Sequence, residues 1–155
     1  MDGQKKKSGR PSATSLKPPP EEITFFIDAS LGGKTLAEAL RNAGAKVEIH
    51  NDHFVQGTPD EDWLREAGAR GWVVLTKDDR IRYHELERLA LMSARVRSFV
   101  LTAKGLRATE YAALFVNALP AMRRLLNRYT GPFIAKVTRT AKVELMVAAG
   151  KKKRR

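Results

Sequence analysis

The chain has 155 residues, no cysteine and a formal net charge of +12. This length suits one domain with a sizeable core. The lack of cysteine excludes disulfides and thiolate metal sites and fits a reducing cytoplasm. No apolar run approaches the roughly 18–20 residues of a membrane span, and the N-terminal segment lacks the apolar centre of a secretory signal. We therefore expect a cytoplasmic protein that does not associate with membranes.

The positive charge is concentrated at the two ends. Residues 1–20 carry five Lys/Arg and one Asp, and residues 151–155 read KKKRR. The residues between them hold 19 Lys/Arg against 16 Asp/Glu, a net charge of only +3. We divide the chain into a basic tail with a Pro-rich linker (1–22), one domain (23–149) and a second basic tail (150–155). The tails either bind polyphosphate with strong salt dependence or are only solvated ends.

Five short segments of the domain predict strands, and the first, an almost continuous apolar run, is typical of a strand buried on both faces. They cover residues 23–27, 46–49, 72–75, 97–101 and 132–137. A sixth segment, KVELMV at 142–147, fits either a strand paired with the fifth or a short terminal helix.

Helical patterns separate the strands. The first helix has Leu36, Leu40 and Ala43 on one face and stops at Gly44. The second opens at TPDE, where Thr58 and Glu61 predict a capping box and Pro59 the first helical position. Its inward residues are Trp63, Leu64 and Ala67.

Two further helices follow strands three and four. The segment 81–94 predicts a helix with Leu86, Leu89 and Ala90 inward. The segment 109–129 predicts a longer helix that Pro120 should kink or split. Its inward residues are Leu114, Phe115, Ala118, Leu119, Met122 and either Leu125 or Leu126. This alternation predicts a three-layer α/β/α domain around a mostly parallel five-stranded sheet.

Acidic side chains follow the strand ends. Asp28 comes directly after strand one, and the adjacent Asp78 and Asp79 come shortly after strand three. Asp60 and Asp62 lie on the first turn of the helix that leads into strand three. Sites of parallel sheets lie beyond the carboxyl ends of the strands, so these acids could converge there if strands one and three are neighbours. The strand order 2-1-3-4-5 satisfies that condition.

Such a cluster suits Mg²⁺ or Mn²⁺, which prefer oxygen ligands. Each acid also has a structural interpretation. Asp60 and Asp62 are favoured by the helix dipole, Asp28 could cap the next helix, and Asp79 could be a solvated turn residue.

Four cations lie close to these acids in the sequence. Lys34, Lys77, Arg80 and Arg82 could hold the phosphates of a nucleic acid or could pair with the acids. His50 and His53 are near each other, but without a third obvious ligand they do not predict a zinc site.

Three segments together resemble a PIN-like domain of the compact kind grouped with VapC-type toxins. They read FFIDASLGGKTLAEALRNAG, TPDEDWLREAGARGWVVLTKDD and SFVLTAKG, and the resemblance covers roughly residues 23–147. It implies a PIN-like fold and a metal-dependent nuclease that usually acts on RNA rather than DNA. Asp28 matches the first-strand Asp, Asp78 the Asp of the T-x-D strand end, and Asp60 or Asp62 the helical acid. Asp79 departs from the pattern, because longer PIN domains carry the fourth acid well downstream.

The resemblance thus implies an endoribonuclease in which water activated by Mg²⁺ or Mn²⁺ hydrolyses an RNA phosphodiester. Asp28 and Asp78 would bind the metal, and Asp60 or Asp62 would bind it or a coordinated water. If the chain is the toxin of a toxin–antitoxin module, it has an antitoxin partner. The apolar richness of residues 109–129 also suggests a homodimer. The alternative is a non-catalytic nucleic-acid-binding module with a PIN-like fold.

Overall fold

Six strands form one sheet in the computed structural model, which describes residues 22–77 and 85–149. The strands are β1 (Thr24–Ile27), β2 (Lys46–Ile49), β3 (Val73–Thr76), β4 (Arg97–Leu101), β5 (Phe133–Val137) and β6 (Val143–Ala148). Four longer helices accompany them: α1 (Lys34–Asn42), α2 (Asp60–Ala69), α3 (Glu85–Ser93) and α4 (Ala108–Arg128). None of the helices in these described ranges is long and apolar enough to cross a membrane.

The strands follow the order β2-β1-β3-β4-β5-β6. The first five are parallel, which confirms the predicted order 2-1-3-4-5 and makes β1 and β3 neighbours. The segment 142–147, for which strand and helix were both open, forms β6 and pairs antiparallel with β5. The sheet therefore has six strands rather than five, because a short turn suffices to join antiparallel neighbours.

Helices cover both faces of the sheet. Phe25 and Ile27 contribute to a core shared with α1 and α4, whereas Phe26 belongs to a second core shared with α2 and α3. Side chains of a strand alternate between faces, so burial on both sides explains why the run at 23–27 is almost continuously apolar. The predicted three-layer α/β/α architecture is confirmed.

Helix α4 continues from Ala108 to Arg128 with Pro120 inside it, so the predicted split does not occur. Its predicted inward residues are buried, with Leu126 rather than Leu125 fully enclosed. In α1, Leu36 and Leu40 are buried as predicted, but Ala43 is exposed because the helix ends at Asn42.

The predicted phase of α3 was wrong. Leu89 is 53% exposed, and the buried position is Leu91, at 1%. Ala90 packs against the second core from a partly buried position, and the side chain of Leu86 lies outside the described residues. Burial of Leu91 rotates the inward face of this helix away from the stripe that the sequence suggested.

The predicted start of α2 needs a correction. Thr58 does not cap the helix, because its hydroxyl donates instead to the carbonyl oxygen of Val55 at 2.6 Å. Pro59 is the N-cap residue, and the helix begins at Asp60. The hydroxyl of Thr58 therefore stabilises the preceding turn, a common competition between local backbone groups and helix caps.

Candidate active site

Asp28 lies at the carboxyl end of β1, directly beside the end of β3. Ile27 pairs with Leu75 in the parallel register, and the Asp28 backbone N–H donates to the Leu75 carbonyl at 3.0 Å. This register places Asp28 next to Thr76, the last residue of β3. The adjacency predicted for strands one and three thus brings together Asp28 and Thr76, which are 48 positions apart.

Two hydroxyl groups orient the Asp28 carboxylate. Thr76 Oγ1 donates to Oδ2 at 2.7 Å, and Ser30 Oγ donates to the same oxygen at 2.8 Å. The two hydroxyl oxygens are 3.2 Å apart. Thr76 is fully buried, whereas Asp28 and Ser30 are half-buried. The carboxylate makes no side-chain cap hydrogen bond to the following 3₁₀ turn, so it does not act as the helix cap considered from the sequence.

The charge of Asp28 has no counter-ion within the described residues. No Lys, Arg or His of residues 22–77 and 85–149 pairs with it, and no donor from these ranges reaches Oδ1. A partly buried charge is costly unless it is paired or coordinated. Hydroxyl groups fix one oxygen, while the other has no hydrogen-bond donor among the described residues, an arrangement that suits a hard cation.

Tyr111 of α4 fixes the turn that carries Asp28 and Ser30. Its hydroxyl donates to the Leu31 carbonyl at 2.8 Å. Gly32 follows with a φ of 72°, and a Cβ there would meet the Tyr111 hydroxyl at 3.4 Å. Burial raises the pKa of Tyr111 above its ordinary value of 10.0, so the phenol is a protonated donor at neutral pH.

The candidate phosphate-binding cations differ in how close they lie to the turn that carries Asp28. The Lys77 backbone N–H donates to Ser30 Oγ at 3.3 Å, and its Nζ lies 5.5 Å from the centroid of the Tyr111 ring. That ammonium is therefore close to the turn of Asp28, held by a cation–π contact. Lys34 is exposed at the first position of α1. Arg80 and Arg82 lie outside the described residues, as do Asp78 and Asp79.

Asp60 and Asp62 have partners of their own on α2. Asp60 accepts a hydrogen bond from the Trp63 indole N–H at 3.0 Å, and Asp62 lies 3.7 Å from the Arg65 guanidinium. Both carboxylates are exposed. The topology places the start of α2 at the same sheet edge as Asp28. In the described part of the chain, however, no three acidic or histidine side chains form a group that could hold a metal ion.

His50 and His53 belong to an aromatic cluster beneath this edge. His50 is 4% exposed and packs against Phe26, Phe54 and Trp63 at centroid distances of 5.4–6.0 Å. His53 Nε2 lies 2.7 Å from a Glu48 carboxylate oxygen. His50 packs within this cluster, although its buried Nδ1 has no hydrogen-bond partner among the described residues, and the cluster also fixes the Trp63 indole that contacts Asp60.

Sequence reasoning missed the residues that hold Asp28. Ser30, Thr76 and Tyr111 were not identified as parts of a site. The available signals were Ser30 two positions after Asp28 and the Thr at the end of the apolar run WVVLT. Tyr111 gave no signal, because its hydrogen bond to Leu31 spans 80 positions.

Two comparisons with known proteins identify the family of this chain. Residues 23–103 match the family model described as "PIN like domain". The chain is also 30% identical over 114 residues to the protein "Putative ribonuclease VapC45" of Mycobacterium tuberculosis (strain ATCC 25618 / H37Rv). That match covers 71% of this chain and 82% of the relative. No solved structure gives a significant match.

The chain therefore belongs to the PIN-like family. Its similarity to VapC45 extends beyond the residues matched by the family model and assigns it to the VapC-type branch that the sequence resemblance suggested.

Proposed function

We propose that this chain is a metal-dependent endoribonuclease of the PIN type and the toxin of a toxin–antitoxin module. Membership of the PIN-like family and similarity to a protein named as a ribonuclease support this function. The observation that carries the proposal is the Asp28 carboxylate. Two hydroxyl groups orient it, and its charge has no counter-ion in the described ranges.

The residues proposed to hold Mg²⁺ or Mn²⁺ are Asp28 and Asp78, supported by Asp60 or Asp62. Lys77, the residue before Asp78, donates from its backbone to Ser30. Asp79 is a candidate fourth ligand, although its position departs from the family pattern. Carboxylate and hydroxyl oxygens are a donor set that fits these hard cations.

A bound Mg²⁺ or Mn²⁺ would supply Lewis acidity toward a phosphate oxygen and lower the pKa of water. Ser30 and Thr76 hold Oδ2 of Asp28, and Oδ1 is the oxygen proposed to bind the metal. Lys77 places positive charge near the same turn, and Lys34, Arg80 and Arg82 are the other residues proposed to contact the RNA backbone. Phosphate contacts of this kind position a nucleic acid without reading its sequence.

The proposed partners are RNA and an antitoxin protein. Similarity to a VapC-type protein supports both. The homodimer expected from the apolar content of α4 has no support here, because the apolar residues of that helix are buried in the first core of the same chain.

The decisive experiment combines metal removal with a matched pair of variants. Purified chain is incubated with mixed RNA and DNA substrates in Mg²⁺ or Mn²⁺, with and without EDTA. We expect cleavage of RNA that requires the metal and falls on the order of 10²-fold or more in Asp28→Asn, because the charge that holds the metal is lost.

Asp52→Asn is the control for that experiment. Asp52 is an exposed carboxylate in the turn after β2 and therefore lies at the same sheet edge. Circular dichroism checks that both variants fold. Cleavage that persists in EDTA, or that falls equally in the two variants, would contradict the assignment of Asp28.

The alternative function is a nucleic-acid-binding module without activity. The observation in its favour is that Asp60 and Asp62, two of the proposed ligands, already have partners on α2. This alternative predicts RNA binding by the wild-type chain but no cleavage with any divalent metal, so the same experiment separates the two functions.

A further inference from the structure

Positive charge is concentrated in the part of the chain that runs from α4 to the start of β6. Residues 111–143 contain six Lys/Arg and no Asp or Glu. Three of the six are Arg123, Arg124 and Arg128, which lie on the last two turns of α4 and are exposed. We call these three residues the α4 arginine surface.

The α4 arginine surface has no carboxylate partners within the described ranges 22–77 and 85–149. On the opposite helical layer, by contrast, Arg65 pairs with Asp62 and Arg70 pairs with Glu66 at 2.6 Å. Arg124 and Arg128 are also four positions apart, a spacing at which like charges repel on a helix. The helix dipole favours a cation in the last turn and so accounts for Arg128 but not for all three.

The surface is far from Asp28. Helix α4 follows the carboxyl end of β4 and leads to the amino end of β5, so its arginines approach the sheet edge opposite the candidate active site. A helix of 21 residues is roughly 30 Å long at about 1.5 Å per residue. A ligand that contacts both the arginines and Asp28 must therefore be extended.

We propose that the α4 arginine surface binds the phosphate backbone of RNA substrates at a distance from the cleavage site. Guanidinium groups match phosphate oxygens with two parallel hydrogen bonds, and this surface contains arginine rather than lysine. A symmetric dimer centred on the same surface would bring six arginines together, so a second copy of the chain is a poor occupant. The choice of RNA rests on the proposed function.

The proposal has a consequence for substrate length. A long RNA can reach from Asp28 to the arginines, whereas a short oligonucleotide occupies only the active-site edge. Removing the arginine charges should therefore weaken binding of long RNA and raise KM for its cleavage. The cleavage of a short oligonucleotide should be unchanged, since the α4 arginine surface plays no part in the chemical step.

The test compares two full-length triple variants with equal loss of charge. The first is Arg123→Gln/Arg124→Gln/Arg128→Gln. The control, Lys46→Gln/Arg65→Gln/Arg70→Gln, removes three cations that already pair with carboxylates. The Kd for a long structured RNA is measured in EDTA over a series of salt concentrations, and circular dichroism checks folding.

We expect the arginine variant to bind on the order of tenfold more weakly at 0.1 M salt or below. The slope of log K against log salt should fall by about 2–3 in magnitude, about one for each phosphate that the variant no longer neutralises. The control should keep the wild-type slope. Equal weakening of both variants would overturn the proposal, because it would indicate only a response to net charge.

Two additional outcomes separate this proposal from others. If poly-glutamate of matched charge displaces the RNA as effectively as unlabelled RNA does, the surface fits an acidic protein segment and the proposal fails. If the wild-type chain binds RNA through these arginines but does not cleave it with any metal, the nuclease proposal fails and the binding surface stands. Absence of any RNA binding by the wild-type chain contradicts both.

Discussion

The acids at the end of β1 and at the start of α2 share one edge of the sheet but have different partners. Asp28 is held by Thr76, a buried residue 48 positions away, and has no counter-ion in the described part of the chain. Asp60 and Asp62 contact Trp63 and Arg65, which lie three positions away on their own helix. A residue far away in the sequence thus orients the Asp28 carboxylate, whereas the α2 acids make contacts within their own helix. This difference makes Asp28 a stronger candidate for a functional residue than Asp60 or Asp62.

After the loss of Asp28 itself, removal of the Thr76 hydroxyl is expected to have the largest effect. Thr76→Val keeps the shape of the side chain and deletes the donor to Asp28. We expect cleavage to fall about 10–100-fold, the usual effect of losing a group that orients a metal ligand. The free energy of unfolding should fall by about 1–3 kcal/mol, because the variant loses a buried hydrogen bond. Single-turnover kinetics and urea unfolding measure the two effects.

Thr102→Val is the matched control for Thr76→Val. Thr102 follows β4, which is separated from β1 by β3, and its hydroxyl donates to the Val137 carbonyl at 3.3 Å rather than to Asp28. Its loss should reduce stability without changing cleavage per folded molecule. If both variants cleave RNA at the wild-type rate, the hydroxyl of Thr76 has only a structural role.

The acids of α2 can be separated from each other by amide substitution. Asp60→Asn removes the charge but keeps an oxygen that can accept the Trp63 N–H. We expect a fall in cleavage of about tenfold if this charge supports the metal. Asp62→Asn should change cleavage by no more than about twofold, because it removes only an exposed ion pair. Measured dependence of the rate on Mn²⁺ concentration distinguishes weaker metal binding from a slower chemical step. A larger effect for Asp62→Asn would exchange the two roles.

An effect on stability is expected at Tyr111, which anchors the turn carrying Asp28. Tyr111→Phe should cost about 1 kcal/mol of stability by losing the hydrogen bond to Leu31. Since burial raises the pKa of Tyr111 above 10.0, its protonated form stabilises the fold below pH 10. That contribution is lost as the pH rises through the pKa of the folded state.

The matching pH experiment compares urea unfolding near pH 8 and above pH 10. Wild-type protein should lose more stability over this interval than Tyr111→Phe, which has no phenol to titrate. Identical pH dependence in the two proteins would mean that the buried phenol does not contribute in this way.

The architecture was largely predictable from the sequence, whereas the hydrogen bonds of the site were not. Apolar runs at 23–27 and 72–75, each followed by an acid, predicted strands that must be neighbours if Asp28 and Asp78 are to meet. Their adjacency is confirmed. Thr76 could not be assigned as the partner of Asp28, because that hydrogen bond depends on the register between two strands that are far apart in the sequence. The prediction that Leu89 is buried was also wrong, because Leu91 packs into the core instead. The prediction that Thr58 caps α2 was wrong because its hydroxyl donates to the Val55 carbonyl.

The most direct test of the central claim is anomalous diffraction from crystals soaked in Mn²⁺. We predict a manganese peak within coordination distance of Asp28 Oδ1, about 2.0–2.2 Å, with Asp78 as a further protein ligand. The peak should be absent in Asp28→Asn and retained in Asp52→Asn. A peak on Asp60 or Asp62 without Asp28, or none at the ends of β1 and β3 in an active crystal form, would contradict the account.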